Sequence, residues 1–227
     1  YACIRSRTDE NIFLQPGDVA KLKKKYTGTF GSQELLAEFV AYEGLVFKDF
    51  DPVHHLHGIV LPDDPGVSDV VCGIDFGYND PFCCLWVAKK DGRWIVVDEY
   101  YQPSRSMDHH ATVILDSPWR KRVSMTLGDY HGKQEIADLR RFGVNVYASH
   151  DCKPIHRINE LSRLLSFKLS DGKPALMVGK NCVNTIREFG AYRYREATPE
   201  KDAGELPAKQ DDHCMDALGY SLYSVGK

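Results

Sequence analysis

Five aspartates are the residues of this chain best suited to chemistry: Asp75 in "GIDFG", Asp129 in "LGDYHG", and Asp211, Asp212 and Asp216 in "DDHCMD". Carboxylates brought together repel, and each raises the other's pKa unless divalent cations lie between them. Oxygen-only ligation suits Mg2+ or Mn2+. Two such ions can drive phosphodiester hydrolysis without a covalent intermediate, which agrees with the lack of a convincing Ser-His-Asp or Cys-His arrangement. Each acid also has an ordinary explanation. Asp before an aromatic and Gly is common at strand ends, Asp129 suits a turn, and "DDH" can be a helix cap. Only their joint placement raises them above that, and placement depends on the elements that carry them.

Those elements are legible from about residue 70. Three strand-like runs, "VVCGIDF", "FCCLWVAKK" and "RWIVVDEYY", are separated by "GYNDP" and the turn signal "KDG", a hairpin pattern. A helix around "SMDHHATVIL", a strand "VSMTLGD", a helix "KQEIADLRRF" stopped by Gly143 and a strand "VNVYAS" follow. This alternation predicts parallel pairing with right-handed crossovers. "HRINELSRLLS" reads as a helix, "ALMV" as a short strand and "VNTIREFGAYRY" as a further segment, and the last helix is "DDHCMDALGYSLYSV". The acidic pair at its start is placed to cap it and complement its dipole. Upstream, "DVAKLKKKYTG" and "SQELLAEFVAY" have helical spacing, "EGLVFKDF" reads as a strand, and "DPVHHLHGIVLPDDPGVSD" reads as loop.

A three-strand meander continued by alternating helices and parallel strands is the layout of a ribonuclease H-like α/β domain, a mixed sheet with helices on both faces. In that layout Asp75 and Asp129 close the first and fourth strands side by side at the sheet centre. Asp211 and Asp212 approach the same edge from the last helix, and Asp216 lies one turn further along the same face.

Composition limits the rest. With 227 residues, 43% hydrophobic and 27% charged, the chain can bury a sizeable core as one domain with an appendage, or as two small ones. A net charge of -3 argues against a surface that is basic throughout. Residues 119 to 168 nevertheless hold ten Lys or Arg against five Asp or Glu. Within them Lys133, Arg140, Arg141, Lys153, Arg157 and Arg163 are candidates for a phosphate backbone, with little base readout expected. His131 is a candidate helper beside Asp129, and His213 beside Asp212. Seven scattered cysteines without a CxxC pair suggest reduced thiols. His150, Cys152 and His156 in "HDCKPIH" lack an evident fourth ligand for zinc. The pairs His54-His55 and His109-His110 are expected to be exposed. No apolar stretch nears the roughly 20 residues of a membrane helix, and no signal peptide is visible, so the cytoplasm is the expected location. A start at Tyr1 suggests an excised fragment.

Four blocks, "SQELLAEFVAYEGLVFKDF", "GIDFGYNDP", "GDYHGKQEIADLRRFGVNVYAS" and "DDHCMDALGY", together resemble the large terminase subunit of tailed bacteriophages. The resemblance implies an ATP-driven DNA-packaging protein whose C-terminal domain is a metal-dependent endonuclease acting on concatemeric double-stranded viral DNA. It implies a motor with a GxxxxGK[ST] phosphate loop, which this chain lacks, so residues 1–42 are expected to be the tail of the motor and 43–227 the nuclease domain. By the same resemblance Asp75 and Asp129 are the first two catalytic acids and metal ligands. The third lies in "DDH", Asp212 favoured with Asp211 close behind, while Asp216 is a supporting or alternative ligand. The family position of Lys153 is also basic. Portal protein and small terminase subunit are implied partners of the full-length protein, in the cytoplasm of the infected host. Other readings are a ribonuclease H-like junction resolvase, an actin-like ATP-binding module, for which "GYNDP" lacks the hydroxyl residues, and a scaffold that lost the chemistry, against which the retained acids speak.

Overall fold

The structure, a computed structural model, describes residues 44–195 and 207–226. Expectations for "DVAKLKKKYTG", "SQELLAEFVAY" and the rest of 1–43 lie outside the described residues. The unit that carries the acids spans Val46–Lys227.

It is built on a mixed sheet of seven strands: β1 (Leu56–His57), β2 (Val67–Asp75), β3 (Phe82–Lys90), β4 (Arg93–Gln102), β5 (Val123–Gly128), β6 (Val146–Ala148) and β7 (Leu176–Gly179). Their spatial order is β1-β7-β4-β3-β2-β5-β6. The β2–β3–β4 meander is antiparallel, whereas β5, β6 and β7 join parallel to their neighbours, as the ribonuclease H-like reading requires. Asp91 and Gly92 both have positive φ in the β3–β4 turn, the backbone that "KDG" signalled.

The helices are α1 (Pro52–His55), α2 (Met107–Asp116), α3 (Lys133–Arg141), α4 (Pro154–Ser166), α5 (Val183–Ala191) and α6 (His213–Val225). Buried residues of α2 and α3, among them Ala111, Ile114, Ile136 and Leu139, pack with Cys72, Ile74, Phe82, Cys84 and Trp86 on one side of the sheet. On the other side α4, α5 and α6 bury Leu161, Phe189 and Leu218 with Val71, Cys83, Leu85 and Val178. Because successive residues of β2 and β3 alternate between two covered faces, both strands read as near-continuous apolar runs. Helix α6 lies directly on β2 because residue 73 is glycine: a Cβ there would collide with the Ala217 carbonyl.

Three local expectations fail. Over its described residues "EGLVFKDF" forms no extended strand; only Leu45 is in a bridge and the Val46 N–H donates to the Tyr192 carbonyl, while Phe47 stacks on Tyr192 and meets Phe189 edge-on and Phe50 stacks on Phe189, so aromatic burial adds to limited pairing. The Pro-rich stretch after it is not all loop, since Asp51 caps α1 and β1 pairs with β7. Finally, His55 and His110 are buried, not exposed. His55 bonds the Leu165 carbonyl, while His110 stacks on Phe82 at 3.9 Å and meets the Tyr100 hydroxyl.

Candidate functional site

Strand register places the first two acids together. Ile74 pairs with Gly128 across the parallel β2–β5 ladder, so Asp75 and Asp129 leave adjacent strands at neighbouring positions. Asp75 ends a central strand beneath α6, and its side chain is 14% exposed. Asp129 opens the turn before α3, where its Oδ1 accepts the His131 N–H at 3.1 Å.

Helix α6 supplies the others. Asp212 is the N-cap residue, yet its side chain makes no capping hydrogen bond. The helix start is satisfied instead by Glu188 of α5, fully buried, which accepts the Cys214 N–H at 2.6 Å. This corrects the reading of Asp212 as a cap. Its carboxylate is buried, and Oδ2 has no hydrogen-bond partner; Lys209 Nζ stands 3.6 Å away, within ion-pair reach but too far for a hydrogen bond. Lys209 Nζ is also 3.5 Å from Asp216 Oδ2. One cation is thus shared by two acids.

Asp216 is also held by Arg157 of α4, Nη2 to Oδ1 at 2.9 Å. Arg157 is buried, donates to the Cys152 carbonyl and lies over the Tyr220 ring. Its stem crosses α6 at Gly219, where a Cβ would come within 3.0 Å of it. That geometry removes Arg157 from the set of cations facing solvent: it is the counter-ion of a buried carboxylate. Asp211, by contrast, sits at φ 53° with Oδ1 3.9 Å from Arg187.

The electrostatics follow from burial. Desolvation pushes the Asp75 carboxyl up to about 7; the His213 hydrogen bond opposes this, and the charges of Asp216 and Asp212 add to it. Burial likewise raises Asp212, reinforced by Asp216. His213 Nδ1 lies 3.0 Å from Asp75 Oδ2, and that hydrogen bond raises the imidazole pKa. Desolvation lowers Lys209, but the charges of Asp216, Asp212 and Asp75 outweigh it, so the ammonium is strongly retained. The centre is therefore a partly desolvated excess of carboxylate, which favours cations.

Among the described residues no three His, Cys, Asp or Glu side chains close into a coordinating set. Arg157, Lys209 and His213 are the partners of Asp216, of Asp212 with Asp216, and of Asp75. Their donor chemistry nonetheless fits Mg2+ or Mn2+, because it is oxygen-only and includes a buried Asp212 oxygen without a hydrogen bond. His150 and His156 are not buried, which gives "HDCKPIH" no buried site.

The remaining cations lie on the surface of the α3–β6–α4 region. Lys133 packs over the Tyr130 ring at 5.9 Å, and Lys153 occupies the N-cap position of α4. Arg140 donates to the Val146 carbonyl, Arg141 pairs with Asp138 and Arg163 with Glu160. An antiparallel bridge joins Tyr194 to Pro207 ahead of α6; residues 196–206 lie outside the described residues. Glu188 and Lys209 were not singled out from sequence. Glu188 does carry a signal, since it shares a helical face with Thr185, Phe189 and Tyr192, all buried.

No family model matches the chain. It is 23% identical over 236 residues to the large terminase subunit of Escherichia phage T5, covering all of this chain and 52% of that protein. Its fold matches the large terminase of a thermophilic bacteriophage, with TM-score 0.65 and 22% identity over 96% of this chain and 54% of that one. It also matches the large-terminase nuclease domain of bacteriophage SPP1 with bound Mn, with TM-score 0.59 and 17% identity over 78% of this chain and 97% of that one. The chain thus has the ribonuclease H-like fold of terminase nuclease domains, and it spans about half the length of the T5 protein and of the thermophilic phage's terminase.

Proposed function

We propose that this chain is the nuclease-bearing part of a phage large terminase subunit, and that it cuts concatemeric viral DNA during packaging by hydrolysis assisted by two divalent ions, Mg2+ or Mn2+. The observation that carries the reading is the register of β2 and β5, which sets Asp75 and Asp129 at neighbouring positions, Asp75 beneath the start of α6 where Asp212 has a buried, unbonded oxygen. Residues 1–42, as the tail of a motor domain, and partners such as portal protein and small terminase subunit in the infected host's cytoplasm belong to the same proposal.

Asp75, Asp129 and Asp212 would hold the ions, with Asp216 beside them and Asp211 at the periphery. When bound, the ions supply a water activated for attack on phosphorus and stabilise the leaving oxygen. The chain's own groups prepare that arrangement. His213 fixes the Asp75 carboxylate through its ring nitrogen. Glu188 holds the first turn of α6, so the Asp212 carboxylate is not consumed by the helix. Arg157 pairs with Asp216 in a buried setting, and Lys209 stands within ion-pair reach of Asp216 and Asp212. Lys133, Lys153, Arg140, Arg141 and Arg163, with His131, supply a phosphate-facing surface that takes hold of backbone rather than bases.

The test is cleavage of supercoiled plasmid by the purified chain with Mn2+, with Mg2+ and with chelator. Nicking that needs the metal is the expected result. An intact plasmid at millimolar Mn2+, together with no Mn2+ binding by calorimetry, overturns the proposal.

A further inference from the structure

The sheet face opposite α6 contains a cavity of about 200 Å³, between the end of α2, strand β5 and the turn from α3 into β6. Its walls include Cys72, Ile114, Leu115, Val123 and Val144, and Trp86 lines it from the central strand β3. Trp86 is 3% exposed, and its indole N–H is buried without a hydrogen-bond partner. The N–H itself is closed off from the open space, so what Trp86 offers the cavity is its apolar surface.

The mouth has the complementary chemistry. Arg120 and Asn145 line the cavity, and Arg120 is exposed, donating one long hydrogen bond, 3.4 Å, to the Leu115 carbonyl. A guanidinium has five N–H donors. Met125 and Tyr147, also lining residues, are 42% and 48% exposed, so the entrance continues as an apolar patch. A dry cavity of about 150 Å³ holds a benzene ring; this one has room for a single ring with a small substituent.

We propose that this cavity is a second binding site, independent of the acidic centre, for a carboxylate attached to one flat apolar ring. The ring packs against Trp86 between Ile114 and Val144, and the carboxylate accepts from the Arg120 guanidinium at the mouth. Strand β5 connects the two places, its first residues lining the cavity and its last preceding Asp129. At about 3.3 Å per residue they are roughly 16 Å apart.

The test uses the whole chain, labelled with 15N, and follows the Trp86 indole N–H resonance, identified by its absence from Trp86→Phe. Benzoate at millimolar concentration is expected to shift it, whereas benzylammonium, of similar size and opposite charge, leaves it in place. Arg120→Gln should weaken benzoate about two- to fivefold, the scale of an exposed ion pair. Leu115→Trp, which fills the mouth from a half-buried position, should remove the shift in a protein whose circular dichroism is unchanged. A tripeptide ending in Phe with a free carboxylate distinguishes the source: tighter binding than benzoate points to a partner's chain terminus, weaker binding to a free aromatic acid. An indole resonance that ignores benzoate, moves equally with benzylammonium, or still shifts in folded Leu115→Trp overturns the site.

Discussion

Asp75 and Asp129 occupy neighbouring positions on adjacent parallel strands, but their surroundings differ. Asp75 lies under α6, faces two further acids and is held by His213; Asp129 stands at the open side, bonded within its own turn. The cause is their place in the sheet. Strand β2 is central and receives α6 in direct contact through Gly73, whereas β5 has only the three-residue β6 beyond it. A single sheet edge can therefore offer one desolvated carboxylate, which resists ionising alone, and one carboxylate on the more open side.

The most severe test of this comparison is activity. Asp75→Asn and Asp129→Asn are each expected to reduce Mn2+-dependent plasmid cleavage about a thousandfold, equivalent to about 4 kcal/mol. Should Asp129→Asn cleave normally while Asp75→Asn is dead, the chemistry belongs to the α6 side alone.

A second test concerns stability and should again separate the two sides. Arg157→Met leaves Asp216 buried without its main partner and is expected to cost about 3 kcal/mol in urea denaturation. Arg140→Met, on the surface near β6, should change stability by about 0.5 kcal/mol or less. The double variant Arg157→Met/Asp216→Leu should recover part of the loss, because it removes both charges.

Proton linkage gives a third. The folded pKa of Asp75, about 7, exceeds its reference value of 3.8, so the native state binds the extra proton between them. That contribution is complete below about pH 4 and is lost as pH rises through about 7. His213, also raised above its reference of 6.5, has the same sign, so the metal-free chain should melt at lower temperature as pH increases. Asp75→Asn should flatten the dependence between about pH 5 and about pH 8. An unchanged slope would show that Asp75 does not gain this proton on folding.

The smallest effect is expected at Asp211. Its 3.9 Å contact with Arg187 is at the exposed end of the cluster, so Asp211→Ala should retain cleavage within about threefold, the scale of a surface ion pair. A large loss would place Asp211 at the metals in Asp212's stead.

Much of this was legible in the sequence. The apolar runs of β2 and β3, the "KDG" turn and the strand–helix alternation fix the sheet, and "GIDFG" with "LGDYHG" places two acids at the ends of its strands. Pairings remote in sequence were not legible. Arg157 and Asp216 are 59 residues apart, and nothing in "PIHRINEL" says that its arginine turns inward. Glu188 and Cys214 are 26 apart, so the true cap of α6 was hidden behind the more obvious "DD". The aromatic segment around Phe47 was misread because local alternation resembles a strand even where pairing is limited and ring packing adds to it.

The cap supplied by Glu188 has a genetic consequence. Since another helix secures the start of α6, the identity of residue 212 is released from the requirements of folding, while residue 188 carries them. In a saturation library, abundance of soluble chain should stay nearly level across small and polar substitutions at 212 and fall across those at 188. Selection for cleavage would reverse the ranking, making 212 the stringent position. Defects of chemistry and defects of folding would thus be inherited at separate positions on adjacent helices, and an Asp212 variant would persist in the cell as an intact but silent copy.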